Sequence, residues 1–306
     1  MASCEFVMGI LFLFQTGTGL LGNSLLLYFF LLTLFSKHTQ KPIDQILNQL
    51  ALANFLVLFS RGIPQTLAAF CLDNFLGEAM CKIIFYTHRV TRGVSLCTTC
   101  LLSGFQTIAI SLNNSRWAQL KLRAPKFVQP SCCLCCILHL LINIVVPVKV
   151  THPGNTRNIT KKEFGLCSGN GSNAFINSFC AFLFTSLDIL CLGPMCWASI
   201  SIVFFLQRHK QRVQYLHRIS LSPRASPETT ATYSVLLLVS SFVAFYFMSS
   251  ILSLYMTYFV NPSLQLVTIC TFLSGCFPAF SPYVLISCEI QVLRIYFVSC
   301  KTRISK

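Results

Sequence analysis

The chain has 306 residues, of which 54% are hydrophobic and only 10% charged. A soluble domain carries about 25% charged residues, so this chain cannot cover a water-facing surface and its solvent is partly lipid. Net charge is +15, from 23 Lys+Arg against 8 Asp+Glu. The basic residues fall in short gaps between apolar blocks, which argues against nucleic-acid binding and for charge-set membrane topology.

A spanning helix needs about 20 mostly apolar residues. Seven segments qualify, which predicts an all-α membrane protein: a single seven-transmembrane helix bundle over residues 1–306. The first is Met8–Leu34. No Lys or Arg precedes it and it exceeds a signal peptide's apolar region, so it is expected to be a signal-anchor helix. Its Gly17-Thr18-Gly19-Leu20-Leu21-Gly22 spells a dinucleotide-binding fingerprint. No strand precedes it, so close helix packing is the better reading.

The second segment is Ile43–Phe70, opened by Pro42 and Asp44, a residue pair that suits a helix start. It carries Arg61 just before Pro64. The third, Lys82–Ser111, is the least apolar and holds Tyr86, His88, Arg89 and Arg92. The fourth, Phe127–Val148, contains Cys132, Cys133, Cys135 and Cys136. With Cys97 and Cys100 these read as small buried hydrophobes rather than zinc ligands. The fifth, Phe175–Leu206, is the longest and carries Asp188 and Pro194; the basic stretch Gln207–Arg218 is expected to continue it. The sixth, Thr232–Phe259, bears Tyr255 and Tyr258, and Asn261-Pro262 separates it from the seventh, Leu264–Ser287.

The gaps set the orientation. Lys37 and Lys41, then Arg116, Lys121, Arg123 and Lys126, then Arg208, Lys210, Arg212, Arg218 and Arg224, then Arg294, Lys301, Arg303 and Lys306 all fall on one side. The other side has Lys149, Arg157, Lys161 and Lys162. This bias, 15 against 4, predicts an extracellular N terminus and a cytoplasmic C terminus. The protein is therefore expected at the plasma membrane, crossing it several times. The inner basic loops would attract anionic lipid and offer a surface to a cytoplasmic transducer.

Cys81 opens the third segment on the outer side, and Cys167 sits in the long outer gap. Both would face an oxidising compartment. A bridge would tether that loop over the bundle; the alternative is two free thiols. Asn158-Ile159-Thr160 and Asn170-Gly171-Ser172 are glycosylation sequons in the same loop, while Asn113-Asn114-Ser115 falls on the inner side and should stay bare.

Buried charges carry the sharper signal. Arg61, Arg89, Arg92 and Asp188 each cost about 2.5–3.5 kcal/mol at the bilayer centre on insertion scales, so they face a cavity or a partner. By helical rise Arg89 lies about 12 Å below Cys81. Two readings stay open and are compatible: a polar pocket open to the outside, and an internal salt bridge, Arg92 with Asp188; Tyr86, Tyr255 and Tyr258 either line the pocket mouth or, the favoured role, anchor their helices at the membrane interface. There is no HExxH and no GxSxG, and Asp188 is the one clearly intramembrane acid. Neither an enzyme, nor a cofactor, nor a metal site is expected.

Taken together, the residues resemble a known family. Leu21-Gly22-Asn23; Leu50-Ala51-Leu52-Ala53-Asn54; Gly62-Ile63-Pro64-Gln65-Thr66; His88-Arg89-Val90 with Arg92 through Leu102; Ser115-Arg116-Trp117-Ala118; Arg208 through Gln214; Leu221-Ser222-Pro223-Arg224; and Cys276-Phe277-Pro278 with Ser281-Pro282 are similar to the vomeronasal type-1 receptors. These are seven-helix G-protein-coupled receptors. The resemblance implies a pheromone or odorant ligand and signalling through an inhibitory-type heterotrimeric G protein. It supports a Cys81–Cys167 bridge and a sugar on Asn158. Phe105-Gln106-Thr107 stands where a wider receptor class has Asp-Arg-Tyr, Ser281-Pro282 replaces the common Asn-Pro, and Pro194 is unusual. A bitter-taste-like chemoreceptor is the alternative within the architecture. A transporter is the alternative of another class, and would need paired broken helices that the sequence does not present.

Overall fold

A computed structural model of the chain describes residues 2–35, 42–70, 77–110, 115–151, 162–163, 168–169, 174–216, 240–241, 243–248, 250–251 and 264–304. Helix α1 is Ala2–Phe35, α2 is Pro42–Val57, and a π-helical turn, Leu58–Gly62, leads into α3, Ile63–Ala69. Helix α4 is Glu78–Ile110 and α5 is Ser115–Ile142. A short 3-10 turn joins α5 to α6, Val146–Lys149. Strands β1 (Val150–Thr151), β2 (Lys162–Glu163) and β3 (Ser168–Gly169) form a small antiparallel sheet in the order β1-β3-β2. Helix α7 is Ala174–Leu216; the described residues between 240 and 251 are helical; α8 is Leu264–Ile304.

Five helices among the described residues are long and apolar enough to cross a membrane: α1, α2 with α3, α5, α7 and α8. Helix α4 has comparable length, 33 residues, but carries Lys82, Arg89 and Arg92. Its surroundings explain how it tolerates them. Val90, Val94, Ser95, Leu96, Thr98 and Thr99 of α4 are buried, and α2, α5 and α7 pack against it. On these faces α4 meets other helices of the bundle.

Burial is inverted relative to a soluble protein. Phe182, Trp197 and Ile200 are 73%, 74% and 68% exposed, whereas Asn23, Asn54, Ser95 and Ser281 are at most 1% exposed. Apolar side chains outward and amides inward is the pattern lipid dictates. Hydroxyls inside the helices are satisfied locally: Thr66, Thr91, Thr99, Ser103 and Thr107 each donate to the carbonyl four residues back.

Pro42 and Asp44 occupy the first turn of α2, where the fixed φ of proline and the positive helix end favour them. The glycines of α1 serve packing. A Cβ on Gly19 would lie 2.8 Å from the Ala279 Cα, and one on Gly22 2.8 Å from Pro282 Cγ, so α1 approaches α8 closely. Tyr283 of α8 then donates to the Thr18 carbonyl at 2.8 Å.

Two expectations need correction. The apolar pattern starts the fourth segment at Phe127, but α5 begins at Ser115 and runs through Pro125 and Pro130. Proline removes one backbone donor without ending a helix whose other bonds lipid enforces. Composition makes Cys97 and Cys135 free core thiols; they are instead joined in a disulfide with Cα atoms 6.3 Å apart, linking α4 to α5. Cys100, Cys132, Cys133 and Cys136 are free. The expected continuation of the fifth segment is present, since α7 runs on to Leu216.

Candidate functional site: a charged cluster above a neutral hub

Arg92 sits on α4, about 16 Å of helix below Cys81. Its Nη2 donates to Asp188 Oδ2 of α7 at 3.1 Å, and both side chains are largely buried, 14% and 16% exposed. Ser250 closes the group. Its hydroxyl donates to the same Oδ2 at 3.2 Å and lies 3.4 Å from Arg92 Nη2. One carboxylate thus ties α4 and α7 to the helical residues near 250. Two charges in this setting attract strongly because little water competes.

Aromatic faces complete the surroundings. Arg92 Cζ lies 5.2 Å from the Tyr246 ring centre, and the Tyr246 hydroxyl approaches the Arg92 carbonyl at 3.5 Å. Tyr246 meets Phe277 edge to face at 6.1 Å. A crevice here is lined by Arg92, Phe245, Tyr246, Leu273, Ser274 and Phe277, and it is too narrow to hold a water. The crevice lies beside the Arg92–Asp188 pair, and that expected ion pair is formed.

Arg89 Cζ stacks 4.1 Å over the Phe184 ring of α7, a geometry worth about 0.5–2 kcal/mol. Arg61 Nη2 donates to Thr271 Oγ1 of α8 at 2.8 Å, and Thr271 in turn donates to the Val267 carbonyl at 2.8 Å. Arg61, Arg89 and Arg92 all lie within electrostatic reach of buried His88. Of the sequence-derived residues, Arg92 and Asp188 are joined directly, while Arg89 and Arg61 are each placed against a neighbouring helix, α7 and α8. Tyr86 turns to α5 instead, its hydroxyl donating to the Leu140 carbonyl at 3.1 Å.

One turn deeper lies a neutral hub. Ser95 Oγ donates to Asn54 Oδ1 at 2.6 Å, and Asn54 Nδ2 donates to Ser281 Oγ at 2.9 Å. Asn23 Nδ2 donates to the Gly19 and Pro278 carbonyls at 2.8 and 2.9 Å. These bonds join α4 to α2, α2 to α8, and α1 to α8. In the sequence Asn23 and Asn54 stand out only as motif residues; the signal for this work was an amide inside an apolar block. Ser250, Tyr246 and Thr271 carried no comparable signal.

Tyr255, Asn158, Asn170 and Cys167 lie outside the described residues. Cys81 is buried and disulfide-bonded. Arg123 and Arg208 are exposed; Arg116, Lys210 and Arg212 lie on described helices but their side chains are outside the description.

A family model, that of the vomeronasal organ pheromone receptor family, matches residues 6–298. The chain is 47% identical over 296 residues to vomeronasal type-1 receptor 1 of Homo sapiens, covering 96% of this chain and 83% of that one. It is 47% identical over 298 residues to vomeronasal type-1 receptor 4 of Pongo pygmaeus, covering 97% and 99%. Olfactory receptor class A-like protein 1 of Danio rerio is 30% identical over 289 residues, covering 93% and 90%. With its apolar helices and inward-facing amides, this chain is a multi-pass membrane protein that belongs to the vomeronasal type-1 receptor family, a family of chemosensory G-protein-coupled receptors.

Proposed function

We propose that the protein is a plasma-membrane receptor for a small pheromone or odorant, crossing the bilayer seven times with its N terminus outside, and that it activates a heterotrimeric G protein of the inhibitory type. The observation that carries this reading is the Arg92–Asp188–Ser250 group, which ties three helices together beside a crevice. A ligand with a polar head that competes for Arg92 or Ser250 binds the arrangement in which the crevice is open. It leaves the closed arrangement unbound. Only such a difference in affinity moves the equilibrium between them. Release of the tie frees α7 and the residues near 250 to shift at their inner ends. There the basic residues Arg116, Arg123, Arg208, Lys210 and Arg212 meet the G protein.

On the outer side, Cys81 pairs with Cys167 in this reading. Supporting it, Cys81 is disulfide-bonded, β3 begins one residue after Cys167, and β1, which pairs with β3, packs against α4. Asn158 and Asn170 carry sugars. Arg89 shapes the pocket from the face of Phe184.

The test uses cells expressing the receptor with a promiscuous G protein, screened by calcium readout against volatile and steroid-like compounds. Once an agonist is found, Arg89→Ala should shift its half-maximal concentration by about tenfold or more, at unchanged surface expression, if the stacked cation contributes about 1.4 kcal/mol or more. Superimposable dose–response curves would remove Arg89 from the site.

A further inference from the structure

Helices α4 and α5 are joined by a covalent bond inside the bundle. Cys97 of α4 and Cys135 of α5 form a disulfide with Cα atoms 6.3 Å apart. Four residues back on α4 and four forward on α5 stand Gly93 and His139. The His139 ring fills the space where a side chain at Gly93 would stand. The cystine and this contact are successive rungs of one antiparallel seam. His139 is thus the i,i+4 neighbour of Cys135 on α5, where Cβ atoms lie about 5–6 Å apart. It is buried, 7% exposed.

The depth of the cystine decides what can reach it. About 24 Å of helix separates Cys97 from Cys81. About 18 Å separates Cys135 from Arg123, where the apolar span of α5 begins. On α5, Leu134, Ile137, Leu138 and Leu141 are exposed beside it, so lipid borders the seam. Cys135 is buried, whereas Cys97 is half-buried, so the open approach is to Cys97. A charged reductant dissolves poorly at that depth. The attacking species in disulfide exchange is a thiolate, and forming one in an apolar medium requires a base close by. A neutral imidazole carries an acceptor nitrogen that takes such a proton.

We infer that the Cys97–Cys135 cystine, with His139, is a covalent site for a small uncharged thiol that arrives through the lipid. The thiol sulfur bonds to Cys97 Sγ as the bond from Cys97 to Cys135 breaks. The thiol proton passes to the His139 imidazole and from there to the departing Cys135 sulfur, which leaves as a thiol. One disulfide is lost and one is formed, so no oxidant or reductant is needed beyond the entering thiol. Exchange unlinks α4 from α5 at about 7.5 Å of helix from Arg92. The site is distinct from the crevice beside Arg92, and its test reads covalent mass rather than signalling.

The experiment takes the full chain, purified into nanodiscs, and exposes it to limiting butanethiol or to 2-mercaptoethanesulfonate. Each rate is normalised to that thiol's rate with a soluble dialkyl disulfide. Samples are quenched in acid, alkylated and mapped by mass spectrometry. Butanethiol should appear on the peptide holding Cys97, with Cys135 alkylated as a free thiol. The sulfonate should open the cystine about a hundredfold more slowly. His139→Ala should slow the butanethiol reaction by about tenfold or more. Equal normalised rates for the two thiols would overturn the inference, and so would an intact cystine after butanethiol treatment. A His139→Ala chain reacting at the wild-type rate overturns it as well. Should that variant not be recoverable, the position of the adduct decides, and butanethiol on Cys135 with Cys97 free overturns the assignment.

Discussion

The charged cluster and the neutral hub sit one helical turn apart and solve the same problem differently. Around Arg92 a single carboxylate is shared between a guanidinium and a hydroxyl, so each group depends on the others. Around Asn54 each bond is neutral, short and made to a different helix. Charge in a dry interior gives a strong tie whose partial removal is expensive. Neutral hydrogen bonds give modest ties whose cost is mostly that of leaving a partner unsatisfied. In the proposed mechanism the first arrangement is the one that opens, and the second is the one that stays assembled.

The sharpest way to break this comparison is Asp188→Asn. It leaves the Arg92 charge buried and unmatched, and should cost about 3–5 kcal/mol, read as a fall in unfolding temperature of the purified receptor. The double variant Arg92→Met with Asp188→Leu should recover most of that loss. If the double variant is no more stable than the single one, the two residues are not coupled. Next in size is Asn54→Ala, which strands the Ser95 and Ser281 hydroxyls and should cost about 1–3 kcal/mol. It should lower expression while leaving the rank order of agonists unchanged; a changed rank order would move the hub into the ligand site.

Gly93→Ala probes the wall between the two regions. An added Cβ there would run into the His139 ring of α5, and overpacking of this kind costs about 1–3 kcal/mol. Combining it with His139→Ala should restore stability, as measured by the same unfolding assay. The smallest effect belongs to Glu78→Gln. The Glu78–Lys82 pair is short, 2.7 Å, but its side chains are 41% and 37% exposed, and exposed pairs contribute about 0–1 kcal/mol. A loss comparable to that of Asp188→Asn would show that exposure is a poor guide at this end of α4.

The helical, multi-pass character was legible because lipid imposes a long apolar block on every span, a signal that survives errors in local propensity. The Arg92–Asp188 pair was legible for a related reason: a lone acid inside the bilayer must find a base, and few were available. What could not be read was who else would join. Ser250 and Thr271 are hydroxyls among apolar neighbours, and their local carbonyls would satisfy them equally well. Cys97 and Cys135 are 38 positions apart in sequence and have the composition of ordinary core residues, so nothing in the pattern links them. The start of α5 was hidden by Pro125, Pro130 and the basic residues between Arg116 and Lys126, which mask a helix whose first turns lie outside the apolar block.

The π turn at Leu58–Gly62 acts as a phase adjuster in the second span. An α-helix advances about 100° per residue, and a π turn accommodates an additional residue without breaking the rod. Everything beyond it, α3 included, is therefore rotated relative to the preceding portion that carries Asn54. Excising one residue there would swing the following portion by about a quarter turn and carry Arg61 off the face that meets Thr271, while the preceding portion kept its orientation. The Asn54 anchor and the Arg61 contact with Thr271 are thus geared separately along one continuous helix.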